Sequence, residues 1–281
     1  MRKFLQHPLM RILAGAVFVV EVMSGVQSAV RLLPGQDTRA VPLISVLLIA
    51  GAALAAYAGF ARWYERRALT ELAVATAPRE LAGGLLIGAA LFSTTIAIIW
   101  ALGSYSVAGV NDVAKLLPAA EFALVGAIVE ELLFRGLLFR LLEEWLGSWI
   151  ALAASACVFG AVHLANPHAT LWAGLSIAIQ AGVLLGTAYM QFRRLWLPIG
   201  LHIAWNFTQG GIFGGAVSGH AADGLLRGTL TGPTWVTGGP FGVEASVFAT
   251  AVCVVMAGYF LWRSRRAAAF LAPRWRRAIP A

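Results

Sequence analysis

Residues 117–140 read LPAAEFALVGAIVEELLFRGLLFR. A bilayer crossing takes about 20 mostly apolar residues, and this stretch is long and apolar enough. Yet Glu130, Glu131 and Arg135 sit inside it. A charged group within a membrane segment is costly, so it faces a bundle interior or a wet cavity and has a task there. The whole reading of the chain turns on whether its surroundings are also built for lipid.

They are. The 281 residues are 59% hydrophobic and 12% charged, against about 45–50% and about 25% for a soluble domain. Candidate spans lie at about 9–30, 40–61, 81–103, 117–140, 147–165, 170–191, 196–212 and 244–262. Spanning segments must satisfy their backbone internally, so these are expected to be helices. The predicted fold is an all-α polytopic membrane protein of about eight transmembrane helices. It is read as one integral membrane domain over residues 1–281, with its motif-bearing core at 117–212. The N-terminal apolar run outlasts a signal-peptide core and is read as an uncleaved first span.

Lys and Arg orient the bundle. With both termini cytoplasmic, sixteen fall inside, namely Arg2, Lys3, Arg11, Arg62, Arg66, Arg67, Arg79, Arg140, Arg193, Arg194, Arg263, Arg265, Arg266, Arg274, Arg276 and Arg277. Four fall outside, namely Arg31, Arg39, Lys115 and Arg227. The net charge of +8 is therefore mainly a topology signal and gives no ground for a nucleic-acid partner. Membrane lipids are the expected surroundings, and the clusters Arg62–Arg67 and Arg263–Arg277 are candidates for anionic head groups. Residues 63–80 read as an interfacial helix broken at Pro78, or equally as a solvated loop. Residues 210–242, rich in Gly and Thr, read as a flexible linker. Cys157 and Cys253 read as small buried hydrophobes.

Two further pairs share helix faces at four-residue spacing. Phe159 and His163 lie in the fifth span, and His202 and Asn206 in the seventh. Glu131 and Arg135 are four apart and can pair, which leaves Glu130 as the less neutralised carboxylate and the candidate general base. Carboxylates, imidazoles, a guanidinium and an amide together can activate water and stabilise an oxyanion. Glu21, Gln27, Glu121 and Gln180 rank lower, and His168 and His220 fall in outer loops. An aspartyl mechanism lacks its embedded pair, because Asp37, Asp112 and Asp223 all fall in loops. No Gly-x-Ser-Gly turn offers a serine nucleophile.

The motifs Glu130-Glu131-x-x-x-Arg135, Phe159-x-x-x-His163 and His202-x-x-x-Asn206 resemble those of the CPBP family, the CaaX-protease and bacteriocin-processing (Abi) membrane proteins. The segment from Leu195 to Asn206 also resembles that family's third motif in its setting. The resemblance covers about 117–212 and implies an intramembrane endopeptidase acting on a lipidated or membrane-embedded peptide or protein. It implies Glu130 as water-activating base assisted by His163. It implies His202 and Asn206 as oxyanion-stabilising groups, and Glu131 and Arg135 as groups that hold the site's shape. No cofactor is favoured. Zinc held by Glu130, His163 and His202 is the alternative, and it is disfavoured because no carboxylate is evident behind either His. A non-proteolytic scaffold or immunity-type binding protein is the competing function, and a transporter the weaker third. The composition suggests a bacterial cytoplasmic membrane.

One tension remains in the sequence. At 1.5 Å per residue, Glu130 lies about 15 Å, His202 about 10 Å and His163 more than about 20 Å from the cytoplasmic ends of their spans. The expected site is a cavity open to the cytosol with Glu130 near its floor.

Overall fold

The computed structural model describes residues 5–32, 34, 40–267 and 269–276. Arg2, Lys3, Asp37, Arg39 and Arg277 lie outside the described residues. Among the described residues, ten α-helices of seven residues or more carry the architecture. They are α1 (Pro8–Arg31), α2 (Ala40–Gly59), α3 (Ala77–Ala101), α4 (Leu116–Glu131), α5 (Arg140–Leu146), α6 (Ser148–Val162), α7 (Leu171–Ile177), α8 (Leu184–Phe192), α9 (Trp196–Asn206) and α10 (Val247–Arg266). Wider π-helical turns join α4 to α5 over Leu132–Phe139, join α7 to α8 over Ala178–Val183, and extend α9 over Phe207–Ile212.

Six helical stretches among the described residues are long and apolar enough to cross a membrane. They match six of the eight expected spans. The other two are the ones that carry the chemistry. The helix through α4 and α5 holds Glu130, Glu131 and Arg135, and the α9 stretch ends its π turn at Ile212. Large apolar side chains such as Leu13, Leu47, Leu86, Trp100 and Val255 face outward. In water such a surface would aggregate, whereas in lipid it is the solvated one. The protein is a multi-pass integral membrane protein.

Without a hydrophobic drive between helices in lipid, close packing at small residues takes over. α3 and α9 show this directly. A Cβ added at Gly84 or Gly88 of α3 would strike the backbone of Leu197 or Leu201, and one at Gly200 would strike Leu81. This contact brings α9, with His202 and Asn206, against α3 at backbone distance. A second seam sets Gly160 of α6 against Gly174, and Ala156 against Gly182.

The turn between α5 and α6 decides the level of the site. Gly147 has φ 80°, which L side chains adopt at a cost, and a Cβ there would meet the chain at Leu271–Pro273. Glu130 lies 17 residues before Gly147 and His163 lies 16 after it. Two antiparallel helices leaving one turn therefore bring these residues level. The expected depth mismatch came from ending the fourth span at residue 140, whereas the helix continues through Leu146.

Three expectations are corrected. Residues 65–73 form no interfacial helix. Glu65 instead accepts from Arg11 (Nη2, 2.5 Å), Arg67 (Nε, 2.7 Å) and Arg140 (Nη2, 2.7 Å). Buried Glu71 binds Arg67 (Nη1, 2.9 Å) and the Tyr57 hydroxyl. Arg67 is thus a structural cation rather than a free lipid-head anchor. Residues 210–242 are no simple linker, because Leu226–Leu230 (β2) pairs antiparallel with Tyr105–Val110 (β1), with a bulge between Val107 and Val110. Cys157 is exposed on α6 rather than buried, while Cys253 is buried.

Two outcomes follow. Gly88→Leu should lower stability by about 1–3 kcal/mol or more through overpacking, while Gly51→Ala, where an added Cβ meets nothing within 4 Å, should be neutral. Thermal unfolding in detergent separates them. Burial alone would raise the carboxyls of Glu65 and Glu71, but their arginine partners outweigh it and hold both below the ordinary range. A depressed folded pKa contributes stability that is present above the unfolded value, about 4.3, and is lost as pH falls through the folded one. The melting temperature should fall through that acidic window, and Glu65→Gln should flatten the fall.

Candidate active site

The three motifs converge. Glu130 Oε2 lies 4.0 Å from His163 Nε2 and 3.9 Å from His202 Nε2. These gaps are too long for direct hydrogen bonds and suit a small group held between the three. Glu130 Oε2 has no hydrogen-bond partner among the described residues.

The far side of each imidazole fixes which nitrogen faces Glu130. His163 Nδ1 is 2.7 Å from the Phe159 carbonyl, four residues back on the same helix. A carbonyl only accepts, so Nδ1 carries the proton. His202 Nδ1 is 3.0 Å from Glu131 Oε1, and a carboxylate likewise calls for Nδ1–H. In both neutral rings Nε2 is left bare, turned toward Glu130.

Glu131 is fully buried and its Oε1 is shared. Arg135 Nη1 donates to it at 2.7 Å. Arg135 Nη2 reaches the carbonyls of Ala181 (2.5 Å) and Gly182 (3.4 Å). Both lie in the π-helical stretch after α7, and such turns occur often at functional sites. The guanidinium also lies 4.7 Å over the Phe159 ring. Phe159 lies tilted at 4.6 Å against His163 and edge-on at 4.6 Å to Phe134. Its role is thus to wedge Arg135 and His163 apart while touching both.

Asn206, one turn beyond His202, lines the same cavity of about 480 Å³ as Glu130, His163 and His202. All seven residues of the motifs therefore meet in one place. The cavity continues past Phe122, Asn166 and Ser218 to exposed His220. These residues lie toward the loops that carry Lys115 and Arg227, the side assigned to the outside from charge. The lining of this cavity thus runs toward the side opposite the Arg-rich one on which the opening is expected.

Glu21 and Gln27 stay on the outward face of α1 and do not join the site. His220 and Ser218 were missed as lining residues, since nothing in their Gly-rich loop marks which turn folds over the helices. The objection to zinc, that no carboxylate stands behind either His, is also corrected: Glu131 stands behind His202. Among the described residues, however, no group of three or more His, Cys, Asp or Glu side chains is gathered closely enough to hold a metal ion.

Residues 112–208 match the family model described as type II CAAX prenyl endopeptidase Rce1-like. All seven motif residues fall inside this segment, so the CPBP resemblance holds where the site is built. The chain is also 29% identical over 126 residues to "Putative membrane peptidase YdiL" of Bacillus subtilis (strain 168). That alignment spans 42% of this chain and 49% of the relative, about half its length. No solved structure matches the chain.

Arg135→Met tests the buried triad. It strands Glu131 in a site without solvent, and breaking a buried pair costs about 3–5 kcal/mol. Thermal unfolding should show a loss of that order, larger than for the double variant Arg135→Met/Glu131→Gln, in which neither charge is left stranded.

Proposed function

We propose that the protein is an intramembrane endopeptidase that hydrolyses a peptide bond of a lipidated or membrane-embedded substrate with a water activated by Glu130. The observation that carries this reading is the placement of Glu130 Oε2 at nearly equal distance from two bare imidazole nitrogens.

A water between these groups can give its proton to Glu130 while its oxygen attacks the substrate carbonyl carbon. The carbonyl oxygen becomes an oxyanion. Asn206 donates to it. The tetrahedral intermediate collapses as the C–N bond breaks, and the proton on Glu130 passes to the leaving amine. One water is consumed and the base is restored. His163 orients the water. The lipid-facing side chains Phe122 and Val162 beside the cavity suit a substrate that arrives within the bilayer.

Purified protein and a panel of fluorogenic lipidated peptides test the reading. Wild type should cleave, and Glu130→Gln should lower kcat about 10²–10⁴-fold. Cleavage that survives a strong chelator supports the metal-free route. Cleavage lost to chelator and restored by zinc overturns that route and assigns Glu130, His163 and His202 to a metal. Equal cleavage by Glu130→Gln would remove Glu130 from the chemistry.

A further inference from the structure

Behind the catalytic cluster lies a second, smaller cavity. His163, His202 and Asn206 line both it and the larger one, so they form the wall between the two. Ser218 also lines both, and the rest of the chamber's lining is mostly apolar apart from two residues. Gln180, 3% exposed, and Glu244, 2% exposed, both line the chamber. Neither belongs to the three motifs, and Glu244 lies outside the family match at 112–208.

The hydrogen bonds of both residues are half complete. The Gln180 amide donates to the Glu244 carbonyl and to Thr250 Oγ1 (2.9 Å). Its Oε1 has no partner among the described residues. Glu244 Oε1 accepts from the Ser218 backbone N–H, and its Oε2 has no partner among them either. A buried polar atom left unpaired costs about 1–3 kcal/mol. Two such atoms around one chamber in a membrane protein call for a ligand that pairs with both. The chamber has about 40 Å³ of space, and a water needs about 10–15 Å³. It is too small for a large side chain and holds about three waters.

We propose that this chamber is a hydration site, in which Gln180 Oε1 and Glu244 Oε2 hold ordered waters against the back of the His163–His202–Asn206 wall. Its use as the reserve that replaces each consumed water rests on the protease reading above; the hydration itself does not. Burial pushes the Glu244 carboxyl up to about 8, against the pull of the Ser218 hydrogen bond. The shift favours its protonated form, which can donate to a water as well as accept. Gln180 and Glu244 are positioning residues for water rather than catalytic ones.

Hydroxyl-radical footprinting by X-ray radiolysis of the full chain in nanodiscs tests this without any substrate. Radicals born from bound water label the side chains beside it. Cys253, which lines the chamber and is 1% exposed, is compared with Met190, which is 0% exposed in the apolar core. Cys253 should be oxidised at least about tenfold faster than Met190 if waters are held there. Glu244→Gln should keep that ratio, and Glu244→Leu or Gln180→Met should bring it close to one. A wild-type Cys253 no more reactive than Met190 overturns the proposal. So does fast labelling that persists unchanged in the folded apolar variants. If Glu244→Leu does not fold, Gln180→Met carries the comparison. A wet chamber in a protein that cleaves nothing would count against the protease reading alone, and a dry chamber in an active protease against the hydration site alone.

Discussion

A buried carboxylate, Glu131, holds the site together. One of its oxygens accepts from Arg135 and from His202, which belong to different helices. In a low-dielectric interior such a charge is tolerable only when paired and hydrogen-bonded. That requirement propagates. Arg135 needs further acceptors and finds them in the carbonyls of Ala181 and Gly182, so the π-helical turn between α7 and α8 is tied to the same group. Its flat face needs a partner and lies over Phe159. His202 is fixed in tautomer and direction by the same oxygen. Four segments are thus registered to one another through a single ionised side chain that never touches the proposed reacting atoms.

The second constraint is steric. Glycines at 84, 88 and 200 let α3 and α9 meet at backbone distance, which sets the height of His202 and Asn206. The Gly147 turn sets the height of Glu130 against His163. Charge pairing chooses the orientation of the side chains, and small residues choose the level at which they meet. Neither would suffice alone, because a helix displaced by one residue turns its side chains by about 100°.

Much of this was legible from residues. Glu130-Glu131-x-x-x-Arg135 and the two His pairs stood out because a polar group inside an apolar helix is costly and persists where it has a task. The helix spacing also gave the Glu131–Arg135 pair correctly. What was not legible depended on contacts distant in sequence. No spacing rule links Glu131 to His202, 71 residues away, so the carboxylate behind an imidazole was missed. The arginines of the presumed inner side were counted as topology signals, yet Arg11, Arg67 and Arg140 are bound into the Glu65 and Glu71 network. The β1–β2 pair escaped because Leu226–Leu230 looks like part of a Gly- and Thr-rich loop until Tyr105–Val110 is beside it. Glu244 stands at the start of the last apolar run, where an acidic residue reads as an ordinary helix-start preference.

Charge accounting links the site's geometry to the proposed chemistry. Arg135 neutralises Glu131, and with neutral imidazoles Glu130 is left as the net negative charge. Passing a proton from water to Glu130 creates no new charge; it moves the negative charge from the carboxylate to the oxyanion forming a few ångströms away. In a medium that solvates ions poorly, relocating an existing charge costs far less than separating a new pair. For the same reason Glu130, alone among the three charged residues of its motif, is without an oppositely charged partner at hydrogen-bond distance. A guanidinium bound to it would hold the charge in place, and the base would lose the freedom on which the proton transfer depends.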